Sequence, residues 1–511
     1  MTSETLQVVF VVDGLRPDLI DEVSTPTIAR LRREGTNCAN AHAVSPPVTR
    51  VNAAAITTGD HPGRNGLMGN ELYWPAVDPE RPFRTADGAA LHRLREVSGE
   101  LLHRPSLGRR LQEAGRTLVT VGSGSSGCAL LLASEATDGH GVMINVNRAQ
   151  HGVPVAVPTE VDEQLHRRFG PPPRKDPAAD FLPTITYATQ VIRDYVLPEL
   201  QPDVLLFWIT EPDHAQHTFG LTAPVSVRAR EAADRSVGEV LAAIAATHPA
   251  IDPDVIVVSD HGFSTISGTL DLDAELVRAG LKASQGSTDV VVARSGCGLL
   301  YVHDRDPAHI TRIVEFLQRQ TFSQAIFTPP RSPSDPGTAD PGAAPAGEHH
   351  GWVGGTFSDR LLGYAGNRRE PDIVVSLPWS DAARRGGLAG ESVVLAPPGG
   401  TSMAAQHGNL SPYDLRSTMI GWGPSFRPGT VVTAPTGNLD VAPTLLALSG
   451  LDPSPLDGRV LAECLSQAVN PEPDHGTVTV TAEEAISGYA AAIYLATVGA
   501  HRYHAGAVRQ R

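Results

Sequence analysis

The sequence predicts an α/β fold, in which one large, mostly parallel sheet carries helices on both faces. Short apolar runs rich in β-branched residues alternate with helical patterns through most of the chain. Continuous apolar runs of this kind are typical of strands buried on both faces of a parallel sheet. With 511 residues, 41% of them hydrophobic, the chain is long and apolar enough to bury a sizeable core.

The elements can be assigned in chain order. The helix that follows the first strand is marked by Thr25 at its N-cap, Pro26 in its first position and Gly35 at its end. A longer helix is predicted at 223–247, where apolar side chains recur on one face. The runs predicted to be strands lie at 8–12, 118–121, 204–209, 255–258 and 373–376.

Three regions are predicted along the chain. Residues 1–264 and 400–465 form the catalytic core, and residues 265–399 form an inserted cap that contains a proline- and glycine-rich loop at 328–351. Residues 466–511 form a C-terminal extension, in which alternating apolar residues predict a β-hairpin that turns at Gly499.

Charge and cysteine content narrow the function classes. The net charge of −15 disfavours binding to a nucleic-acid polymer. The four cysteines are widely spaced and match neither a zinc knuckle nor a dense disulfide framework. The apolar run at 6–12 is too short for a signal peptide or a membrane span. We therefore expect a cytoplasmic protein without a membrane partner; the oligomeric state stays open.

Acidic and histidine side chains follow three of the predicted strands, at the point where each strand ends. Open α/β sheets place ligands and active sites at this edge. Three aspartates and three histidines, without a thiolate, suit a hydrolytic site with two divalent ions, zinc first and manganese second. The residues are Asp13 after 8–12, Asp213 and His217 after 204–209, Asp260 and His261 after 255–258, and His407 after the cap.

Thr49 is the candidate nucleophile. It precedes an apolar helical segment that ends at Gly59, and the positive end of a helix together with a cation would favour the alkoxide of its hydroxyl. Asn52 lies one helical turn later, where its amide could donate to a phosphoryl oxygen. Arg50, between them, is a second candidate for binding substrate.

These residues lie in segments that resemble the alkaline phosphatase superfamily, most of all its nucleotide pyrophosphatase/phosphodiesterase branch. The resemblance implies an alkaline phosphatase-like fold and phosphoester hydrolysis through a phospho-threonine. It also implies one metal ion on Asp13, Thr49, Asp260 and His261, and a second on Asp213, His217 and His407. The matching segments occur in the order of the family, at 11–18, 25–31, 49–52, 58–70, 211–217, 259–262, 407–408 and 440–446.

Two features depart from that pattern. Nucleotide-cleaving members often carry an aromatic residue directly after the nucleophile, where this chain has Arg50. Many relatives are exported, whereas this sequence shows no signal peptide. A small phosphorylated substrate is expected, but nucleotide specificity is open.

Other functions fit less well. The segment Gly122 to Gly127 matches a dinucleotide-binding fingerprint, but no strand-ending acid follows it. Ser45-Pro46-Pro47 resembles part of the sulfatase motif, with its arginine one place late. A phosphomonoesterase or a phosphonoacetate hydrolase would share the metal ligands. A degenerate metal-binding interaction protein is the non-enzymatic alternative, although no ligand is missing.

Overall fold

The computed structural model describes residues 6–151, 153–173, 182–330, 349–364, 366–383, 387–396, 399–467 and 472–510. At its centre is a nine-stranded sheet, which confirms the predicted α/β class. Its strands are β1 (Gln7–Val12), β2 (Thr36–Cys38), β3 (Leu118–Gly122), β4 (Val142–Asn145), β5 (Ala156–Val157), β6 (Val204–Ile209), β7 (Asp254–Val258), β8 (Met419–Trp422) and β9 (Thr430–Val432).

The central sheet is mostly parallel, as predicted. Its strand order is β9-β2-β8-β7-β1-β6-β3-β4-β5. The five strands from β7 to β4 run parallel to one another, and β2 pairs parallel with β9. Only β8 and β5 run against their neighbours. The carboxyl ends of β7, β1 and β6 therefore lie side by side at one edge.

The helices of the described residues follow the predicted alternation with strands. The predicted helices after Thr25 and at 223–247 are both present. The helices are α1 (Pro26–Glu34), α2 (Thr49–Thr58), α3 (Pro62–Asn65), α4 (Gly88–Ser98), α5 (Leu107–Glu113), α6 (Ser126–Leu132), α7 (Thr159–Phe169), α8 (Leu182–Val191), α9 (Asp213–Phe219), α10 (Pro224–Thr247), α11 (Leu272–Arg278), α12 (Pro307–Arg319), α13 (Pro412–Leu415) and α14 (Val441–Leu448), with a π-helix at Ile192–Leu200.

Helices cover both faces of the sheet, because successive side chains of a strand point to opposite faces. Val9 and Val11 of β1 enter one buried core together with residues of α2 and α6. Val8 and Phe10 of the same strand enter a second core together with residues of α1, α8 and α10. The apolar character of β1 on both faces thus reflects its burial between two layers of helices.

Residues of the predicted cap form most of two further sheets, one of which also contains Ala405–Gln406 from the predicted core. The run predicted at 373–376 pairs antiparallel within the second of them, so its assignment to the central sheet was wrong. An apolar run indicates burial but not the sheet that a strand joins. The division into core and cap stays a prediction, and most of the loop at 328–351 lies outside the described residues. The strands are Ser264–Leu270, Trp379–Ser380, Glu391–Leu395 and Ala405–Gln406 in one sheet, and Val290–Ser295, Cys297–Val302, Ile326–Thr328, Phe357–Ser358 and Ile373–Val375 in the other.

The C-terminal extension is a three-stranded antiparallel sheet, one strand more than the predicted hairpin. The predicted turn at Gly499 joins the second and third strands, and Gly499 has a positive φ of 55°. The three strands are His475–Glu484, Tyr489–Val498 and His501–Gln510. Two further pairs of short strands are present, Ala41–His42 with Thr436–Gly437 and Glu71–Leu72 with Phe83–Arg84. None of the described helices combines the length and the apolar character needed to cross a membrane.

Gly262, directly after the predicted ligand pair Asp260-His261, allows two segments of backbone to approach closely. Its N–H donates to the carbonyl of Asp414 at 2.8 Å. A Cβ atom at Gly262 would lie 2.0 Å from the carbonyl oxygen of Tyr413 and 2.6 Å from that of Arg416. Position 262 therefore requires glycine because there is no room for a side chain, and not because the backbone makes a left-handed turn.

We expect Gly262→Ala to lower the free energy of unfolding by about 2–3 kcal/mol, because the new methyl group overlaps rigid backbone. Gly286→Ala is the matched control, since a Cβ there meets nothing within 4 Å, and its effect should stay within about 0.5 kcal/mol. Denaturant unfolding of both variants checks this. Equal effects at the two positions would contradict the close-approach explanation.

Candidate metal centre

The edge formed by the carboxyl ends of β7, β1 and β6 carries the predicted ligands. Asp13 follows β1 directly, and Asp260 and His261 lie just beyond the end of β7. Beyond β6 the chain turns into α9, which begins at Asp213. Because the three strands are parallel neighbours, their terminal side chains converge without any long loop.

The first group of side chains contains Asp13, Asp260 and His261. The Nε2 atom of His261 lies 3.1 Å from Oδ2 of Asp260 and 3.5 Å from Oδ1 of Asp13. All three residues are buried, so this group has little access to solvent.

The second group contains Asp213, His217 and His407. Asp213 and His217 lie one turn apart on α9, and the distance from Asp213 Oδ1 to His217 Nε2 is 3.3 Å. His407, just after the short strand Ala405–Gln406, places its Nε2 3.5 Å from the same carboxylate oxygen. Asp213 and His217 are only partly buried, so this group is the more open one.

The two groups adjoin each other. Oδ1 of Asp213 lies 4.0 Å from Nε2 of His261, which belongs to the other group. The rings of His261 and His407 stack with their centroids 3.4 Å apart and an angle of 11° between their planes. The six side chains thus form one continuous cluster with two candidate ion positions.

Hydrogen bonds within the cluster leave the inward-facing atoms free for metal. Each histidine has its Nδ1 within 3.0 Å of a backbone carbonyl. Since a carbonyl oxygen only accepts, Nδ1 carries the proton and the lone pair of Nε2 points inward. Oδ1 of Asp13, Oδ1 of Asp213 and Oδ2 of Asp260 are buried without a hydrogen-bond partner. Such oxygens, facing imidazole lone pairs, fit divalent cations.

The directions in which the pKa values of the cluster are shifted also indicate that it requires added positive charge. Burial, followed by the charges of Asp260 and Asp213, raises the pKa of Asp13 well above its usual range. Burial, followed by the neighbouring His261, lowers the pKa of His407 well below its usual value. In His261 burial acts to lower the pKa, but the charge and hydrogen bond of Asp260, the charge of Asp213 and the hydrogen bond to the Gly262 carbonyl together raise it. A cation would compensate the carboxylates more fully than a single proton does.

The second carboxylate oxygens of Asp13 and Asp260 are held from outside the cluster. Trp208 Nε1 donates to Oδ2 of Asp13 at 2.9 Å, and the Gly14 N–H donates to Oδ1 of Asp260 at 3.0 Å. These contacts orient the ligands toward the centre. The role of Trp208 was not predicted, because it depends on the register that sets Trp208 beside Val11 on the neighbouring strand.

Thr49 lies next to the first group of ligands. It is the first residue of α2, it is buried, and its Oγ1 lies 3.3 Å from Nε2 of His261. The hydroxyl is therefore close to both the candidate ion position and the positive end of the helix.

Asn52 does not have the role predicted for it. Its amide nitrogen donates to the carbonyls of Val44 and Val48, both at 3.1 Å. Its Oδ1 accepts from the Val44 N–H at 2.7 Å and from Asn438 Nδ2 at 3.0 Å. Both amide protons are used, and the residue is fully buried. Asn52 therefore positions the segment that leads into Thr49 instead of donating to substrate.

Asn70 is the amide side chain that lies at the start of α2. Its Oδ1 accepts the backbone N–H of Arg50 at 3.1 Å, one residue after Thr49. Within the described part of the chain, its amide nitrogen donates to no protein group. Sequence reasoning missed this residue as a site candidate, because 20 residues separate it from Arg50, although it ends the matching segment at 58–70.

Arg50 is partly buried beside Thr49. Its Nε is buried without a hydrogen-bond partner, and the guanidinium forms no ion pair with any described residue. Burial lowers the pKa of Arg50, the carboxylates Asp13 and Asp213 act to raise it, and the charge of Arg84 adds to the lowering.

The family model described as type I phosphodiesterase / nucleotide pyrophosphatase matches residues 7–323, more than half of the chain. The matched region includes Thr49 and every candidate ligand except His407, which the fold brings to the cluster from beyond it. No curated protein matches the chain.

The two groups predict independent loss of metal. We expect the wild-type protein to retain two equivalents of divalent metal, and His407→Ala and Asp260→Ala each to lose about one, from different positions. Metal analysis after dialysis measures this, with His303→Ala as the control because that side chain is 72% exposed and remote from both groups. Loss of both ions, or of neither, in a ligand variant would contradict the partition.

Proposed function

The chain belongs to the type I phosphodiesterase / nucleotide pyrophosphatase family, and we propose that it is a metal-dependent hydrolase of phosphodiester or pyrophosphate bonds that acts through a phospho-threonine on Thr49. The family consists of phosphoester hydrolases, so the class of reaction follows from membership. The covalent intermediate, the two-metal site and the choice of ester are our proposal.

The observation that carries the proposal is the position of the Thr49 hydroxyl. It lies 3.3 Å from Nε2 of His261, at the N-terminus of α2 and beside two groups of carboxylate and imidazole ligands. A buried hydroxyl in such a place is suited to nucleophilic attack. The buried carboxylate oxygens without partners explain why the same place would hold cations.

Two divalent ions would supply the positive charge that lowers the pKa of the attacking hydroxyl and offsets charge on the phosphoryl oxygens. In the first step the Thr49 oxygen bonds to phosphorus, and the bond to the leaving oxygen breaks. In the second step water attacks phosphorus, the bond to Thr49 breaks, and the hydroxyl is regenerated. The helix N-terminus stabilises the oxygen of Thr49 in both steps.

Asn70 is the proposed donor to a non-bridging phosphoryl oxygen, in place of Asn52. Its carboxamide is fixed at the start of α2 by the Arg50 N–H. An amide held rigidly beside the nucleophile can stabilise developing charge without reorganising.

Zinc is the proposed metal, with manganese as the second choice. The donor set consists of carboxylate oxygen and imidazole nitrogen without thiolate, which both ions accept. Asp13, Asp260, His261 and Thr49 would hold one ion, and Asp213, His217 and His407 would hold the other.

We expect kcat/KM for an aryl phosphodiester to exceed that for the matching aryl phosphomonoester. A monoester carries about one more negative charge, and the described residues contain only these two groups of candidate metal ligands. Rates of p-nitrophenolate release from the two esters measure the preference. A faster monoester would contradict the diesterase assignment and favour a phosphomonoesterase.

We expect Thr49→Ala to lower turnover of the aryl phosphodiester by about 1,000-fold or more, because the nucleophile is lost while the Asp and His ligands remain. Thr49→Ser keeps a hydroxyl at the same position and should retain much more activity. Metal content and unfolding of both variants serve as controls. Turnover of Thr49→Ala within a few-fold of wild type would indicate direct attack by water.

A further inference from the structure

Arg50, next to the proposed nucleophile, is a cation that forms no ion pair with any described residue. Its Nε is buried without a hydrogen-bond partner, while its backbone N–H donates to Asn70. A guanidinium removed from water is costly unless it meets an acceptor or an anion. The partly buried side chain still reaches solvent, so an incoming molecule can supply that anion.

Two other buried arginines have acceptors that Arg50 lacks, whereas the Nε atoms of Arg110, Arg230 and Arg369 are, like that of Arg50, buried without a partner. Its place beside Thr49 sets Arg50 apart from these three. Arg16 bonds the carboxylate of Asp18 and the carbonyls of Phe263 and Ala389. Arg459 bonds both carboxylate oxygens of Glu463. These side chains have their charge compensated within the protein, so they do not call for a ligand. Arg50 forms no such bond to any described residue, and the charges of Asp13 and Asp213 act on it without an ion pair.

The position of Arg50 indicates which part of a substrate it meets. Successive residues of an α-helix project about 100° apart, so the guanidinium does not occupy the same direction as the Thr49 hydroxyl. In an in-line displacement the leaving group departs on the side opposite Thr49. A side chain adjoining the nucleophile is therefore nearer to the groups that stay on phosphorus, the retained substituent among them, than to the leaving group.

We propose that Arg50 binds a carboxylate or phosphate group carried by the retained substituent of the substrate. This inference rests on the proposed function and narrows it to phosphodiesters with an additional anion on that side. The planar fork of the guanidinium matches either oxyanion with two parallel hydrogen bonds.

A series of p-nitrophenyl esters tests the proposal, because the leaving group stays constant while the retained substituent changes. The substituents are methyl, carboxyethyl, phosphoethyl, a nucleoside and hydrogen, the last being the monoester. For the wild type we expect kcat/KM for the carboxyethyl or phosphoethyl ester to exceed that for the methyl ester by about tenfold or more. The better of these two esters identifies the anion.

Arg50→Ala should lower kcat/KM for the preferred anionic ester by about 10- to 100-fold. The factor by which kcat/KM falls for the methyl ester should be smaller by about tenfold or more. Arg50→Lys, which keeps the charge but not the fork, should recover part of the loss. Asn70→Ala is the matched control at the same helix start and should affect all the esters alike. Unfolding and metal content of each variant exclude a collapse of the site.

Several results would overturn the inference. If Arg50→Ala lowers kcat/KM by the same factor for every ester of the series, the inference is contradicted. It is also contradicted if the wild-type protein does not prefer the anionic esters, a result that can be obtained without any variant. The largest loss with the monoester would assign Arg50 to the phosphoryl group itself, and the largest loss with the nucleoside ester would assign it to stacking on a base. A wild type that cleaves no ester of the series contradicts the proposed function as well.

Discussion

The rest of the site depends on three buried carboxylates that converge where three parallel strands end. Oδ1 of Asp13, Oδ1 of Asp213 and Oδ2 of Asp260 face the same small space without a hydrogen-bond donor. Carboxylates in such a place repel one another, and burial adds to the cost. Their arrangement is sustainable when cations occupy the centre, where each of the three histidines directs its Nε2 toward a carboxylate. The geometry of the sheet thus creates a demand for metal.

Around this centre, backbone atoms do most of the positioning. Carbonyls hold each histidine by Nδ1, and Asn438 ties Asn52 to the carbonyl of Asp260. Thr49 is placed as the first residue of α2, and its Oγ1 contacts Nε2 of His261. Arg50, the next residue, belongs to neither group of candidate ligands. Under our proposal a change at Arg50 would therefore alter specificity without removing a metal ligand.

Much of this protein is determined by the sequence alone. The strand at 204–209 has the predicted bounds, and four other apolar runs are strands, because local composition decides whether a segment is buried and extended. The aspartate candidates could be identified for the same reason, since each lies within four residues of the end of an apolar run. The pairing of Asp213 with His217 follows from helical spacing. These inferences need only neighbours within a few positions.

The features that depend on contacts between distant segments could be learned only from the tertiary structure. The strand Ile373–Val375 joins a separate sheet, and a third C-terminal strand pairs beside the predicted hairpin. The sequence predicts Asn52 as the phosphate donor, yet the carbonyls of Val44 and Val48 occupy its amide, and the fold brings Asn70 to the start of α2 instead. Trp208 supports Asp13 only through strand register. The sequence shows which side chains could donate to a substrate. Whether their donors are already used in hydrogen bonds within the protein depends on contacts between segments far apart in the chain.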